Sequence, residues 1–163
     1  MTFYVPIMNI KITLFITIIL YAAIISQSLF YILAMSKVMK NMQVATYIET
    51  RKLLDKHLRV SLPVVYYGSL VASIALTAFC LVNSSGLLFI CSIIALVCLV
   101  ADLVLIVKGN IPLNKIFNSW TTTNYPSDWQ QYRSKWFSFY HIRQLANMIG
   151  FVSLLTGIIF GMQ

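Results

Sequence analysis

The chain has 163 residues, of which 60% are hydrophobic and only 10% charged, and its mean hydropathy is +0.83. A soluble domain of this size carries about a quarter charged residues, so the composition excludes an ordinary water-soluble fold and points to a polytopic membrane protein of one domain. Lys and Arg outnumber Asp and Glu by 12 to 4, a net charge of +8; placed in loops between apolar runs, this excess reads as a determinant of membrane orientation and argues against a nucleic-acid partner.

Residues 1–11 form an apolar head with one charge, Lys11. Residues 12–35 are uncharged and long enough to span a hydrocarbon core of roughly 30 Å. The run exceeds a signal-peptide core and lacks a small-x-small cleavage site, so it is expected to be retained as the first span. The segment 36–61 is polar and basic. Within it Thr46-Tyr47-Ile48-Glu49 fits a capping box, predicting a helix that begins near Tyr47 in water and continues, with a kink at Pro63, into a second span over 62–82.

Asn83-Ser84-Ser85-Gly86 reads as a tight turn, and 87–107 as the third span, interrupted only by Asp102. The segment 108–143 then holds all three Trp, three of the nine Tyr and one of the two His. Gly109 is expected to end the third helix, with Asn110-x-Pro112-x-Asn114 building the exit turn. Ser127-Asp128-Trp129-Gln130 is a second capping box, from which a helix runs through the fourth span, 145–161, for about 50 Å. The two halves share one layout, which fits either a duplication or two similar hairpins.

All of the Lys and Arg residues except Lys11 fall in or at the edges of 36–61 and 108–143. The positive-inside rule makes both segments cytoplasmic and puts both termini outside, with a bacterial inner membrane as the expected setting. The predicted fold is all-α: an up-down-up-down four-helix transmembrane bundle with helical cytosolic extensions before spans 2 and 4. Small residues (Ala22, Ala23, Gly68, Ala72, Ala95, Gly150, Gly157) allow close helix packing, and Gln27 reads as interhelical glue. Cys80, Cys91 and Cys98 lie in apolar runs and are expected to pack as small apolar thiols.

Asp102 costs about 2.5–3.5 kcal/mol to place within a span, so it should face the bundle, where Arg143 at matching depth is a natural partner. From the second cap, Trp129, Arg133, Trp136, Tyr140, Arg143 and Asn147 follow one another at three- and four-residue spacing, forming one stripe. Such a stripe either binds a planar anionic or phenolic molecule or is an interfacial belt of the kind Trp, Tyr and Arg form at headgroup level. His57 and His141 could meet at one height and act as a general base or, with Glu49, Asp55 or Asp102, hold a metal. No His-x-x-x-His or Cys/His spacing supports the metal, and none is expected.

Asn110-x-Pro112-x-Asn114, Trp120, Asp128-Trp129, Arg133, Trp136 and the closing Arg143 resemble the small four-span proteins of the anthrone oxygenase-like family, and Tyr47, Arg51 and Arg59 before Pro63 fit it as well. The resemblance covers nearly the whole chain, with its strong motif in 110–143. It implies an integral membrane oxygenase or oxidoreductase that oxidises a lipophilic phenolic or polyketide-like substrate with molecular oxygen and no cofactor. It also implies that Asn110, Asn114, Trp136 and Arg143 line the site. The expected mechanism adds Arg133 and Tyr140 to the binding surface, takes Asp102 or His141 as base, and has Arg143 and the Asn amides stabilise negative charge. His141 departs from the family pattern, in which an Asn-x-x-Arg is often found nearby. The other reading is non-enzymatic: an accessory subunit of a larger membrane complex, a homo-oligomer, or a carrier of a lipophilic aromatic molecule. A transporter is disfavoured, since four short spans leave little room for alternating access.

Overall fold

The computed structural model describes residues 6–83 and 86–161. Ser84 and Ser85 of the expected polar turn lie outside the described residues. Four helices follow one another: α1 (Ile7–Asn41), α2 (Val44–Val82), α3 (Gly86–Ser119) and α4 (Trp129–Gly161), each long and apolar enough to cross a membrane. They form an all-α four-helix bundle in which α1 packs on α2 and α4, and α3 packs on α2 and most closely on α4.

The helices contain 35, 39, 34 and 33 residues, or about 50–58 Å at 1.5 Å per residue. That is well beyond the roughly 30 Å of hydrocarbon, so all four stand clear of it at one end. This end carries the basic residues and is called the basic end below. Besides the helical stretches before spans 2 and 4, α1 and α3 extend at this end as well.

The junction of α1 and α2 is two extended residues, Met42 and Gln43, and α2 begins at Val44 with no side-chain cap. Thr46 is thus inside the first turn and does not cap it. Tertiary contact replaces the capping box: Arg133 of α4 donates from one nitrogen to the Met39 and Met42 carbonyls at 3.3 and 3.4 Å. A cation at a helix C-terminus satisfies otherwise orphaned carbonyls and complements the helix dipole. α2 continues through Pro63.

The exit turn expected at Asn110-x-Pro112-x-Asn114 is absent. α3 instead passes through a π-helical turn, Ile106–Asn110, and continues to Ser119, with the Ile111 N–H bonded to the Ile106 carbonyl. Pro112 has no N–H to donate and its ring would crowd the preceding turn of an α-helix; the wider π turn absorbs both demands. It also keeps Asp102, Asn110, Leu113 and Phe117 buried along one side of α3. A second π turn, Tyr31–Met35, lies in α1.

The membrane half of the core is made by Tyr21, Ile24, Leu76, Leu99 and Leu154. Here α3 and α4 meet through small residues. A Cβ at Gly157 would stand 2.9 Å from Cys91 Cβ, one at Gly161 would stand 2.9 Å from the Leu88 backbone nitrogen, and Ser153 Oγ donates to the Cys91 carbonyl at 3.1 Å. Backbones that approach this closely gain dispersion and short polar contacts, which is how helices associate in lipid. Cys80, Cys91 and Cys98 are free thiols, the first two buried.

Candidate functional site

Asp102 of α3 is wholly buried and its Oδ1 accepts Arg143 Nε at 2.5 Å. Oδ2 accepts the Tyr66 hydroxyl at 2.7 Å and Asn147 Nδ2 at 3.0 Å. The Arg143 guanidinium also donates to Tyr66 Oη at 3.1 Å and Asn110 Oδ1 at 3.0 Å, and Asn110 Nδ2 donates to the Trp136 carbonyl at 3.2 Å. Three helices thus hold one ion pair, with hydrogen bonds replacing the water that burial removed. Only with such partners is a buried pair tolerable. Three donors reach the carboxylate, one on Oδ1 and two on Oδ2, so Asp102 is committed to Arg143, Tyr66 and Asn147.

Above this network Asn114 joins the same three helices. Its Oδ1 accepts Arg51 at 2.6 Å and Trp136 Nε1 at 2.9 Å, and its Nδ2 donates to Asp55 Oδ1 at 3.1 Å. Asp55 Oδ2 takes Asn118 at 2.8 Å and Arg59 at 3.2 Å. The two Asn amides expected to face inward do so, but they spend their groups on protein partners.

An aromatic cluster packs on this polar column. Trp136 and Tyr140 stack at 4.9 Å with 14° between their planes, and Tyr31, carried on the π turn of α1, lies 4.3 Å from Tyr140. Tyr47, Phe117, Trp120 and Phe137 complete the buried cluster. Two buried polar atoms here lack a hydrogen-bond partner, Tyr47 Oη and Arg51 Nε, while the Tyr140 hydroxyl lies one turn from the Gln144 amide that interacts with it. Such groups are rare and costly in a packed interior, and each invites a ligand or water. Burial pushes the Tyr47 phenol well above its ordinary value, with Arg51 only partly opposing it. At neutral pH it is a donor, beside the Arg51 cation.

The structure therefore brings together Asp102, Asn110 and Arg143 in one network and Asn114, Trp136 and Tyr140 in the layer above it. It separates the other two candidates. His141 lies two residues before Arg143, roughly 200° around the helix, and is exposed with its ring 6.0 Å from Phe137. Burial, and then Lys40, hold its pKa below the ordinary value. Arg133 faces the end of α1, with its guanidinium 4.4 Å over Trp129. His57 is exposed on α2. Among the described residues no group of three His, Cys, Asp or Glu converges as metal ligands would.

Sequence reasoning did not assign Tyr66, Arg51 or Asp55 to the binding site. Arg51 had a signal, its position one turn after Tyr47 on the same face of α2. Tyr66 had only the weak one of a polar-tipped residue just inside the second span. No family model, curated protein or solved structure matches the chain.

Proposed function

We propose that this integral membrane protein binds a planar, oxygen-bearing lipophile, a phenol or quinone, in the aromatic cluster at the basic end of the bundle. The reading rests on two buried polar atoms without a hydrogen-bond partner, Tyr47 Oη and Arg51 Nε, the latter on a guanidinium that lies over the Trp136 ring. A molecule displacing the Tyr31 ring would stack on Tyr140 and offer its oxygens to the Tyr47 phenol and Arg51. Stacking supplies affinity, and the cation and phenol supply orientation. Tyr31 sits on a π turn, a feature frequent at functional sites.

The resemblance to anthrone oxygenase-like proteins adds a reaction. In it, a methylene between aromatic rings loses two hydrogens, one atom of O₂ becomes the new carbonyl oxygen, and the other leaves as water. Asp102 is committed to its buried ion pair with Arg143 and His141 faces outward, so the substrate would enter the site already ionised, held as phenolate by Arg51. The charge bias supports placing the basic end, with the 42–43 and 120–128 loops, in the cytoplasm of a bacterium and both termini outside.

The test uses the protein in lipid nanodiscs. Anthrone and menadione should quench Trp emission saturably, and Trp136→Phe should remove most of the effect; equal quenching in that variant would sink the binding reading. Oxygen uptake with anthrone that is lost in Arg51→Ala supports the oxygenase, whereas binding without uptake leaves a lipophile carrier or accessory subunit.

A further inference from the structure

A second basic site lies on the outside of the bundle. A half-open groove of about 400 Å³ runs between the end of α1 and the start of α4, lined by Lys40, Arg133, Ser134, Phe137, Ser138 and His141 and by no carboxylate. Lys40 Nζ stands 5.3 Å from the Phe137 centroid, over the apolar floor, and His141 stacks against the same ring. Arg133 is anchored through its bonds to the α1 carbonyls, so its charge is fixed at the rim. Ser138 Oγ donates to the Ser134 carbonyl, which leaves two cations, a histidine and the Ser134 hydroxyl around one ring, a set that suits a phosphate group.

What lies below the groove says which phosphate. Descending α4 from His141 by successive turns gives Leu145, Ile149 and Val152, which are 59%, 48% and 58% exposed. Descending α1 from Lys40 gives Lys37, then Leu33 and Phe30, the last two 74% and 60% exposed. The basic groove thus opens directly onto the exposed apolar surface of α1 and α4. A free anion would have no use for that surface.

We propose that this groove binds an anionic glycerophospholipid, its phosphodiester between Lys40, Arg133 and His141 and one acyl chain along Leu145 and Ile149. Basic pockets between transmembrane helices recognise such headgroups through charge and hydrogen bonds. The groove shares only the Phe137 ring with the aromatic cluster and holds whether or not that cluster binds a ligand.

The whole protein in dodecyl maltoside micelles, titrated with dioleoylphosphatidylglycerol or dioleoylphosphatidylcholine and read by native mass spectrometry, tests this. The anionic lipid should be retained about ten-fold better than the zwitterionic one. Lys40→Gln should weaken it about five-fold, the size expected for one basic group near a headgroup. Leu145→Gln should weaken both lipids, and Lys56→Gln, on the exposed face of α2, should leave the preference intact. Thermal unfolding confirms that each variant is folded. Equal retention of the two lipids, or no effect of Lys40→Gln, overturns the proposal. Inorganic phosphate competing as well as the lipid does so too, by reducing the groove to a small-anion site.

Discussion

Arg51 and Trp136 share one acceptor. The guanidinium lies 4.1 Å over the indole ring, and both side chains donate to Asn114 Oδ1, from α2 and α4 to α3. The cation is held by its planar shape as much as by its charge, since the same group stacks and donates at once. Arg51→Lys keeps the charge but loses the stack and the fixed donor geometry. It should lower stability by about 1–2 kcal/mol, the range for a desolvated cation–π contact plus a charged hydrogen bond. Thermal unfolding followed by Trp emission checks this; a variant as stable as the parent would show that the stack contributes nothing.

The Asp102–Arg143 pair supports a sharper test. Removing either partner strands a buried charge, so Asp102→Asn or Arg143→Met should each cost about 3–5 kcal/mol. The double variant strands no charge and should recover part of that loss. Unfolding of the four proteins in the same micelle gives the coupling directly. If the double variant loses the sum of the two singles, the pair is not acting as a unit.

The network shows what the sequence could and could not reveal. Trp136, Tyr140, Arg143 and Asn147 share the buried face of α4, as their spacing predicts, because helical periodicity is written along a single helix. Tyr66 is not legible in that way. Its role exists only across the bundle, where α2 meets α3 at the depth of Asp102, and no spacing within α2 encodes it. His141 misleads for the converse reason: closeness to Arg143 in sequence implies proximity, yet a step of two residues places it on the opposite side of the helix. The Asn110–Asn114 segment reads as a turn because Gly, Pro and Asn break helices in water. In the bundle a π turn accommodates Pro112, and the amides find partners on α2 and α4, so the helix continues.

Glycine substitutions separate close packing from mere tolerance. A Cβ at Gly157 would stand 2.9 Å from Cys91 Cβ and 3.0 Å from Leu88 Cδ1, whereas one at Gly68 would meet Leu20 at an ordinary 3.5 Å. Gly157→Ala should therefore force α3 and α4 apart and cost about 1–3 kcal/mol. Gly68→Ala should be neutral or stabilising by up to about 1 kcal/mol, since Ala is the better helix former. Paired melting curves decide it: similar losses at both positions would mean that the contact between α3 and α4 is looser than described.

His141 gives the pH dependence its sign. Burial and the neighbouring Lys40 hold its folded-state pKa below the ordinary value of about 6.5 that the unfolded chain shows. Below that pH the unfolded chain takes up the proton first, so stability should fall as the solution is acidified from 6.5 towards the folded pKa; above 6.5 the residue contributes no slope. His141→Gln should flatten this part of the stability curve. In Lys40→Gln the imidazole, followed by NMR in a His57→Asn background, should titrate nearer to its ordinary value, because one of its two depressing causes is gone. Adding dioleoylphosphatidylglycerol to the protein with Lys40 intact should also raise the pKa, because a phosphodiester beside the ring favours the imidazolium. A rise with Lys40→Gln but none with the lipid would place the headgroup away from His141. No change in either case would mean that Lys40 and His141 do not sense each other across the groove.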